Sequence, residues 1–246
     1  MARLFRLSLI DFRYILKNKA LLVTLSFTII YTCLFYFYLT NSTNQINVNA
    51  NTYYQTFNDI SFYIFLIIPA LSLSKEYTFK TSRIIYTGIL SKNQVLTYKV
   101  SSTLLFLLAL GILHRLIGNI FWGFDQESFS FDILSNSLVE TATIYFFAGI
   151  FTISLTFLSS LVSYSRLSTV IFTVAIFILE RFVRGILLLL VDNDLLKLLL
   201  NHNPLGIIQN ILQYGNLTIM DGIILTLLSA VLFLISIILI NKKAID

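Results

Sequence analysis

The sequence predicts an all-α integral membrane protein. It has six transmembrane helices, an N-terminal amphipathic helix at the interface and short outer helices before the last span. Three observations carry this. The chain is 57% hydrophobic and only 12% charged, whereas a soluble domain has about 25% charged residues. Hydropathy resolves six long apolar segments. The positive charges are also distributed unequally between the two sides of those segments. Of the 17 Lys and Arg, Arg3, Arg6, Arg13, Lys17, Lys19, Lys75, Lys80, Arg83, Lys92, Lys99, Arg166, Lys242 and Lys243 fall on one side. Lys197 falls on the other, and Arg115, Arg181 and Arg184 lie inside apolar runs. Basic loops stay cytoplasmic during insertion, so the bias predicts an even number of spans with both termini inside.

Residues 2–19 come first. Phe5, Leu9, Phe12 and Leu16 form one helical stripe, and Arg3, Arg6, Arg13 and Lys17 form another, shared with Ile10. Such a helix lies flat at the cytoplasmic interface. Span one covers about residues 20–39, which matches the roughly 20 apolar residues that a bilayer core requires. Residues 40–58 are rich in Asn and Thr, carry no Lys or Arg, and are expected as an outer loop. Span two, about residues 60–74, is short, and Pro69 is a candidate kink.

Residues 75–99 form the largest cytoplasmic feature, with several bases and the acid Glu76. Ser91 followed by Gln94 reads as a capping box, so a helix starts there and runs into span three, residues 100–122. The outer loop 123–137 holds Asp125, Glu127 and Asp132 and no base. Span four, residues 138–162, returns inward. A very short turn with Arg166 leads to span five, residues 167–191. Residues 192–221 are outside but partly apolar. Asp194 is the expected cap of a helix over 195–200. Asn203-Pro204 and Gly215 bracket a second over 205–214. Both are expected at the outer membrane surface. Span six, residues 222–240, ends in Asn241-Lys242-Lys243.

The net charge of +5 would suggest nucleic acid in a soluble chain. Here the orientation bias accounts for it, and no nucleic-acid partner is expected. Cys33 is the only cysteine, which excludes an internal disulfide. The first apolar run is too long for the core of a cleavable signal. Richness in Ile, Leu, Asn, Phe and Tyr fits an AT-rich bacterial genome. The expected location is therefore a bacterial cell membrane, multi-pass. No phosphate-binding loop with Lys and Ser/Thr is present, no Ser/His/Asp or Cys/His set is visible, and His114 and His202 do not form a metal-binding pair. Neither a catalytic nor a metal site is expected.

The charges inside the spans are costly, on the order of 3 kcal/mol each near mid-bilayer. Arg115 lies about 22 Å along span three from residue 100. Glu180, Arg181 and Arg184 reach a similar depth along span five, and Glu140 does so from the outer end of span four. Glu180 and Arg184 stand at i, i+4 and can pair on one helix. Arg115 is expected to pair with Glu140 or Glu180. An ion lock between helices is the simpler reading of this cluster, and a substrate contact is the other.

The whole-chain set of elements resembles the ABC-2 type permease family, the membrane subunits of type V-like ABC exporters. The local signature is Glu76-Tyr77, then Thr81-Ser82-Arg83, then Ser91-Lys92, then Tyr98-Lys99, in the order the family shows. The glycine common before the threonine in that family is Lys80 here. The resemblance covers residues 1–246 as one permease domain. It implies a dimer with an identical or homologous permease on two ABC ATPase subunits, which bind the ATP and Mg; this chain itself binds no cofactor. It also implies that residues 75–99 are a coupling segment, with Glu76, Lys80, Thr81, Arg83, Ser91 and Lys92 toward the ATPase. A basic loop attracted to anionic membrane lipid is the plainer reading, but the segment's length, caps and acid favour docking. The cargo implied is an amphipathic or antimicrobial peptide, including toxins of the phenol-soluble modulin kind. Lipid-linked sugars, drugs and sodium ions stay open. The competing functions are a bacteriocin immunity protein without transport and a membrane-embedded enzyme.

Overall fold

In a computed structural model, residues 2–41, 50–78, 92–126, 131–163, 165–191 and 193–242 are described. Among them the chain forms helices and no strand. In order these are α1 (Ala2–Leu16), α2 (Lys19–Asn41), α3 (Ala50–Thr78), α4 (Lys92–Gln126), α5 (Phe131–Ser163), α6 (Arg166–Leu190), α7 (Asp194–Asn201), α8 (Pro204–Tyr214) and α9 (Ile219–Lys242).

Five of them, α2, α3, α4, α5 and α9, are long and apolar enough to cross a membrane. The apolar stretches are Lys19–Leu39, Gln55–Ser74, Gln94–Ile120, Asn136–Ser163 and Ile219–Ile240. The sequence predicts six. The sixth, expected over residues 167–191, does form as the 25-residue α6. Its length suffices, but Arg166, Glu180, Arg181 and Arg184 keep it from being apolar throughout.

Several hydroxyls inside the spans are satisfied locally, while Ser61 Oγ and Thr152 Oγ1 are buried without a hydrogen-bond partner among the described residues. On α2, Thr24, Thr28 and Thr32 each donate to the carbonyl four residues earlier, at 2.8 Å in every case. Thr141, Thr156, Ser159, Thr169 and Thr173 do the same on α5 and α6. A hydroxyl bonded this way presents only its carbon atoms to apolar neighbours.

Helices α3 and α5 form the centre. α3 packs on α2, α4, α5, α6 and α8, and α5 packs on α3, α4, α6, α8 and α9. Phe65, Leu66, Leu107, Ile144, Tyr145, Phe177, Ile207 and Ile208 fill the space between them and are fully buried. Phe65 meets Tyr145 edge-on, with centroids 5.7 Å apart, and Phe62 meets Phe177 at the same separation. α2 and α9 are the least buried of the five apolar helices. α1 packs chiefly on α4, where the Ser102 hydroxyl donates to Asp11 at 2.6 Å.

Several boundaries differ from the sequence reading. The expected loop 40–58 is helical from Ala50 onward, so span two is not short. Its polar residues are held there by packing: Phe57, Thr56 and Asn58 are buried, and Phe57 stacks on His114 at 4.9 Å. Pro69 lies inside α3. The expected outer loop 123–137 narrows, because α4 continues to Gln126 and α5 begins at Phe131. α4 begins at Lys92, directly after the expected cap Ser91, which lies outside the described residues. α7 is capped by Asn193, whose side chain accepts from the Leu195 N–H at 2.9 Å; Asp194 is its first helical residue. An Asx side chain one residue before the helix reaches the orphan N–H groups more directly than one already inside the first turn.

Candidate functional site

α8 builds the site. Its start follows from Asn203, whose side chain accepts from Leu205 N–H, and from Pro204 in the first turn. Its end is Gly215 at φ 74°, a left-handed cap that glycine adopts without strain. Both bounds are legible in the sequence. Its position is not. α7 has no buried residue, but α8 is packed among α3, α5, α6 and α9, with Ile207, Ile208, Ile211 and Leu212 buried. α8 is therefore a wedge in the bundle rather than a helix lying on the membrane surface.

The wedge carries a small and polar stripe, Gly206, Gln209, Asn210 and Gln213, at i, i+3, i+4 and i+7. The stripe meets the charges of α6. Arg184 Nε lies 2.8 Å from Glu180 Oε1. Asn203 Nδ2 donates to Glu180 Oε1 at 3.1 Å, and Gln209 Nε2 donates to Glu180 Oε2 at 3.1 Å and to the Phe177 carbonyl at 2.9 Å. Arg184 reaches Asn210 Oδ1 and Gln209 Oε1, each at 3.4 Å. Gly206 makes this approach possible: a Cβ there would sit 3.0 Å from Arg184 Nε and from Glu180 Oε1. The pair is thus closed on one side by its own helix and on the other by amides. That arrangement lets two charges leave water together.

Beside this network a cleft opens between α3, α6 and α8. Asn58, Asp59, Arg181, Gln209 and Gln213 supply its polar wall, and Phe62, Tyr63, Leu66, Phe177 and Ile178 its apolar one. Asp59 from α3 and Arg181 from α6 thus line the same cleft. Asn58 is 6% exposed, and its Oδ1 has no hydrogen-bond partner among the described residues. A buried acceptor without a donor costs about 1–3 kcal/mol.

The predicted charge cluster is thereby divided. Glu180 and Arg184 pair inside the protein, and Arg181 turns to the cleft. Glu140 is exposed on α5, and Arg115 is half-buried on α4. Glu180 takes its ion pair from Arg184 on its own helix. Of the predicted coupling residues, Glu76 lies in the last turn of α3 and Lys92 opens α4. Lys80, Thr81, Arg83 and Ser91 lie outside the described residues. The sequence reading missed Asp59, because it assigned that position to the edge of a loop. It also missed Gln209, Asn210 and Gln213, although the polar stripe on an otherwise apolar helix was a readable signal.

Away from the cleft, His114 is fully buried and its Nδ1 lies 2.8 Å from the Tyr145 hydroxyl. His202 Nδ1 lies 3.2 Å from Asp221 Oδ1, joining the end of α7 to the start of α9. Among the described residues no group of three or more His, Cys, Asp or Glu could hold a metal ion. No protein-family model matches the sequence, and no curated protein matches it.

Proposed function

We propose that the chain is the permease subunit of an ATP-driven exporter of the ABC-2 type, and that amphipathic or antimicrobial peptides move outward past the cleft between α3, α6 and α8. The observation that carries this reading is the cleft's chemistry. It combines a buried Asn58 carbonyl oxygen that has no partner among the described residues, one carboxylate and one guanidinium, two glutamines and a wall of aromatics. Amides and a lone carbonyl suit a peptide backbone, and the aromatic wall suits the apolar face of an amphipathic chain.

In this reading α6 is the sixth span, with its Glu180–Arg184 pair neutralised against α8, and α1 lies at the cytoplasmic interface. Both termini are cytoplasmic in a bacterial cell membrane. Residues 75–99 dock on ABC ATPase subunits, which hold the ATP and Mg and carry out hydrolysis. A second permease, identical or homologous, completes the pore. The order of the helices, the one-sided basic loops and the Glu76 to Lys99 pattern support it.

The test is export of a labelled amphipathic peptide from vesicles holding the permease with its ATPase. Asn58→Leu and Asp59→Asn should each lower export by about tenfold, the equivalent of one lost hydrogen bond, while the ATPase still co-purifies. Unchanged export in both variants would remove the cleft from the transport path.

A further inference from the structure

α1 meets the bundle with one face and shows the other. Ser8 and Ile15 are buried, and Phe12 packs against the core. Asp11, the only carboxylate of this helix, accepts the Ser102 hydroxyl of α4 at 2.6 Å. Ser8, Asp11 and Ile15 stand at i, i+3 and i+7 and mark the inward face. That choice of face decides where the bases end up. Arg6, Arg13 and Lys17, at i, i+7 and i+11, run along the middle of the outward face, and all three are exposed. Apolar side chains flank the row on both sides, Phe5 and Leu16 along one edge, Ile10 and Tyr14 along the other. Phe5 is 63% exposed and Tyr14 62%.

Two apolar strips are unfavourable in water, and a row of three charges cannot be covered by an apolar helix. An anionic membrane surface suits both parts. The flanking side chains enter the boundary between headgroups and acyl chains, and the bases meet the phosphates. The helix's one acid is turned inward, so it does not oppose that contact. Position agrees with composition. α1 ends at Leu16 and α2 begins at Lys19. The outward face is thus tied by a very short link to a helix long and apolar enough to cross a membrane.

We infer that the outward face of α1 docks on anionic phospholipid, with Arg6, Arg13 and Lys17 at the phosphates and Phe5, Ile10 and Tyr14 at the acyl boundary. The inference rests on the interfacial placement of α1 in the reading above, and it names the face and the lipid. It involves neither the ATPase nor a transported peptide, so a failure of export and a failure of lipid docking are separate results.

Trp122 is the only tryptophan of the chain. In a Trp122→Phe background, Ile10→Trp places a reporter at the edge of the face. The full chain is reconstituted in phosphatidylcholine vesicles, and brominated phosphatidylglycerol or brominated phosphatidylcholine is titrated in. Quenching of the tryptophan gives the relative association of the two lipids. Phosphatidylglycerol should be favoured at least about fivefold, the effect of one base near an anionic surface. The preference should fall toward unity in about 0.5 M salt and in Arg6→Gln/Arg13→Gln/Lys17→Gln, and it should persist in Lys197→Gln. The same reporter in place of Leu227, exposed on α9, should show no preference. Equal quenching by the two lipids, or a preference that survives the triple variant, would overturn the anionic site while leaving α1 at the interface. An equal preference at Leu227 would overturn it too, as bulk enrichment. Absence of quenching by either lipid would take α1 off the membrane and assign its basic row to a soluble acidic partner. Where the triple variant fails to reconstitute, the salt series on the unsubstituted face decides: a preference unmoved by salt overturns the site.

Discussion

At Glu180 three groups, from Arg184, Asn203 and Gln209, converge on one carboxylate, which makes the consequences of substitution definite. Glu180→Gln strips Arg184 of its counter-charge in a site already closed by α8. Breaking a buried pair from one side costs about 3–5 kcal/mol, while replacing both members is close to neutral. Thermal unfolding in detergent should therefore show a large loss for Glu180→Gln and substantial recovery in Glu180→Gln/Arg184→Met. Arg115→Leu combined with Glu180→Gln should be additive within about 0.5 kcal/mol, because Glu180 is engaged by Arg184 and by α8. A coupling larger than that would mean that Arg115 shares the carboxylate. Gly206→Ala places a methyl 3.0 Å from both Arg184 Nε and Glu180 Oε1. Overpacking of that kind costs about 1–3 kcal/mol, and the same unfolding measurement reads it.

The element on which the site depends is α8. It is short, so its own propensity does not hold it; its caps and its burial do. Asn203 has two tasks, since its Oδ1 accepts from Leu205 N–H and its Nδ2 donates to Glu180. Asn203→Ala should therefore cost more than the roughly 1 kcal/mol of a simple cap, and Asn203→Ser should restore only the capping part. If Asn203→Ser unfolds at the temperature of the unsubstituted chain, the Glu180 contact contributes nothing. On α3 the same principle corrects the sequence reading. Residues 50–58 look like a loop by composition, yet Phe57 sits between His114 and the apolar residues of α2 and α4. Tertiary contact overrides local polarity wherever a single large ring can be buried. The cap of α7 moved by one residue, to Asn193, and the helix, Asp194–Asn201, otherwise covers the expected 195–200.

For the whole molecule the decisive measurement is topology. In a Cys33→Ser background, single cysteines at Asn44 and Asn216 should label from outside whole cells, and those at Lys80 and Lys242 should not. External labelling at Lys80 would reverse the proposed orientation. Docking of the ATPase is tested separately. Reversing charge at Glu76 or Arg83 should abolish ATPase co-purification while insertion stays normal, because each charge-assisted contact in such a groove is worth about 1.5–3 kcal/mol. Normal co-purification in both variants would free residues 75–99 from that role.

Hydropathy and charge by themselves predicted a helical chain with six spans, and five of the helices that form are long and apolar enough to cross a membrane, since twenty apolar residues in a row admit no other economical structure. Asn203-Pro204 and Gly215 likewise fixed α8 locally, because caps act through the nearest few residues. Only the tertiary structure decided that α8 wedges into the bundle, that Asn203 and Gln209 close over the Glu180–Arg184 pair which the i, i+4 spacing already offered, that Asp59 and Arg181 line one cleft, and that Lys17, Lys99 and Arg166 line one cavity. Those outcomes depend on which face of each helix meets which neighbour. Residues far apart in the chain set that rotation by competing for the same buried space, and neither periodicity nor composition along one segment contains it.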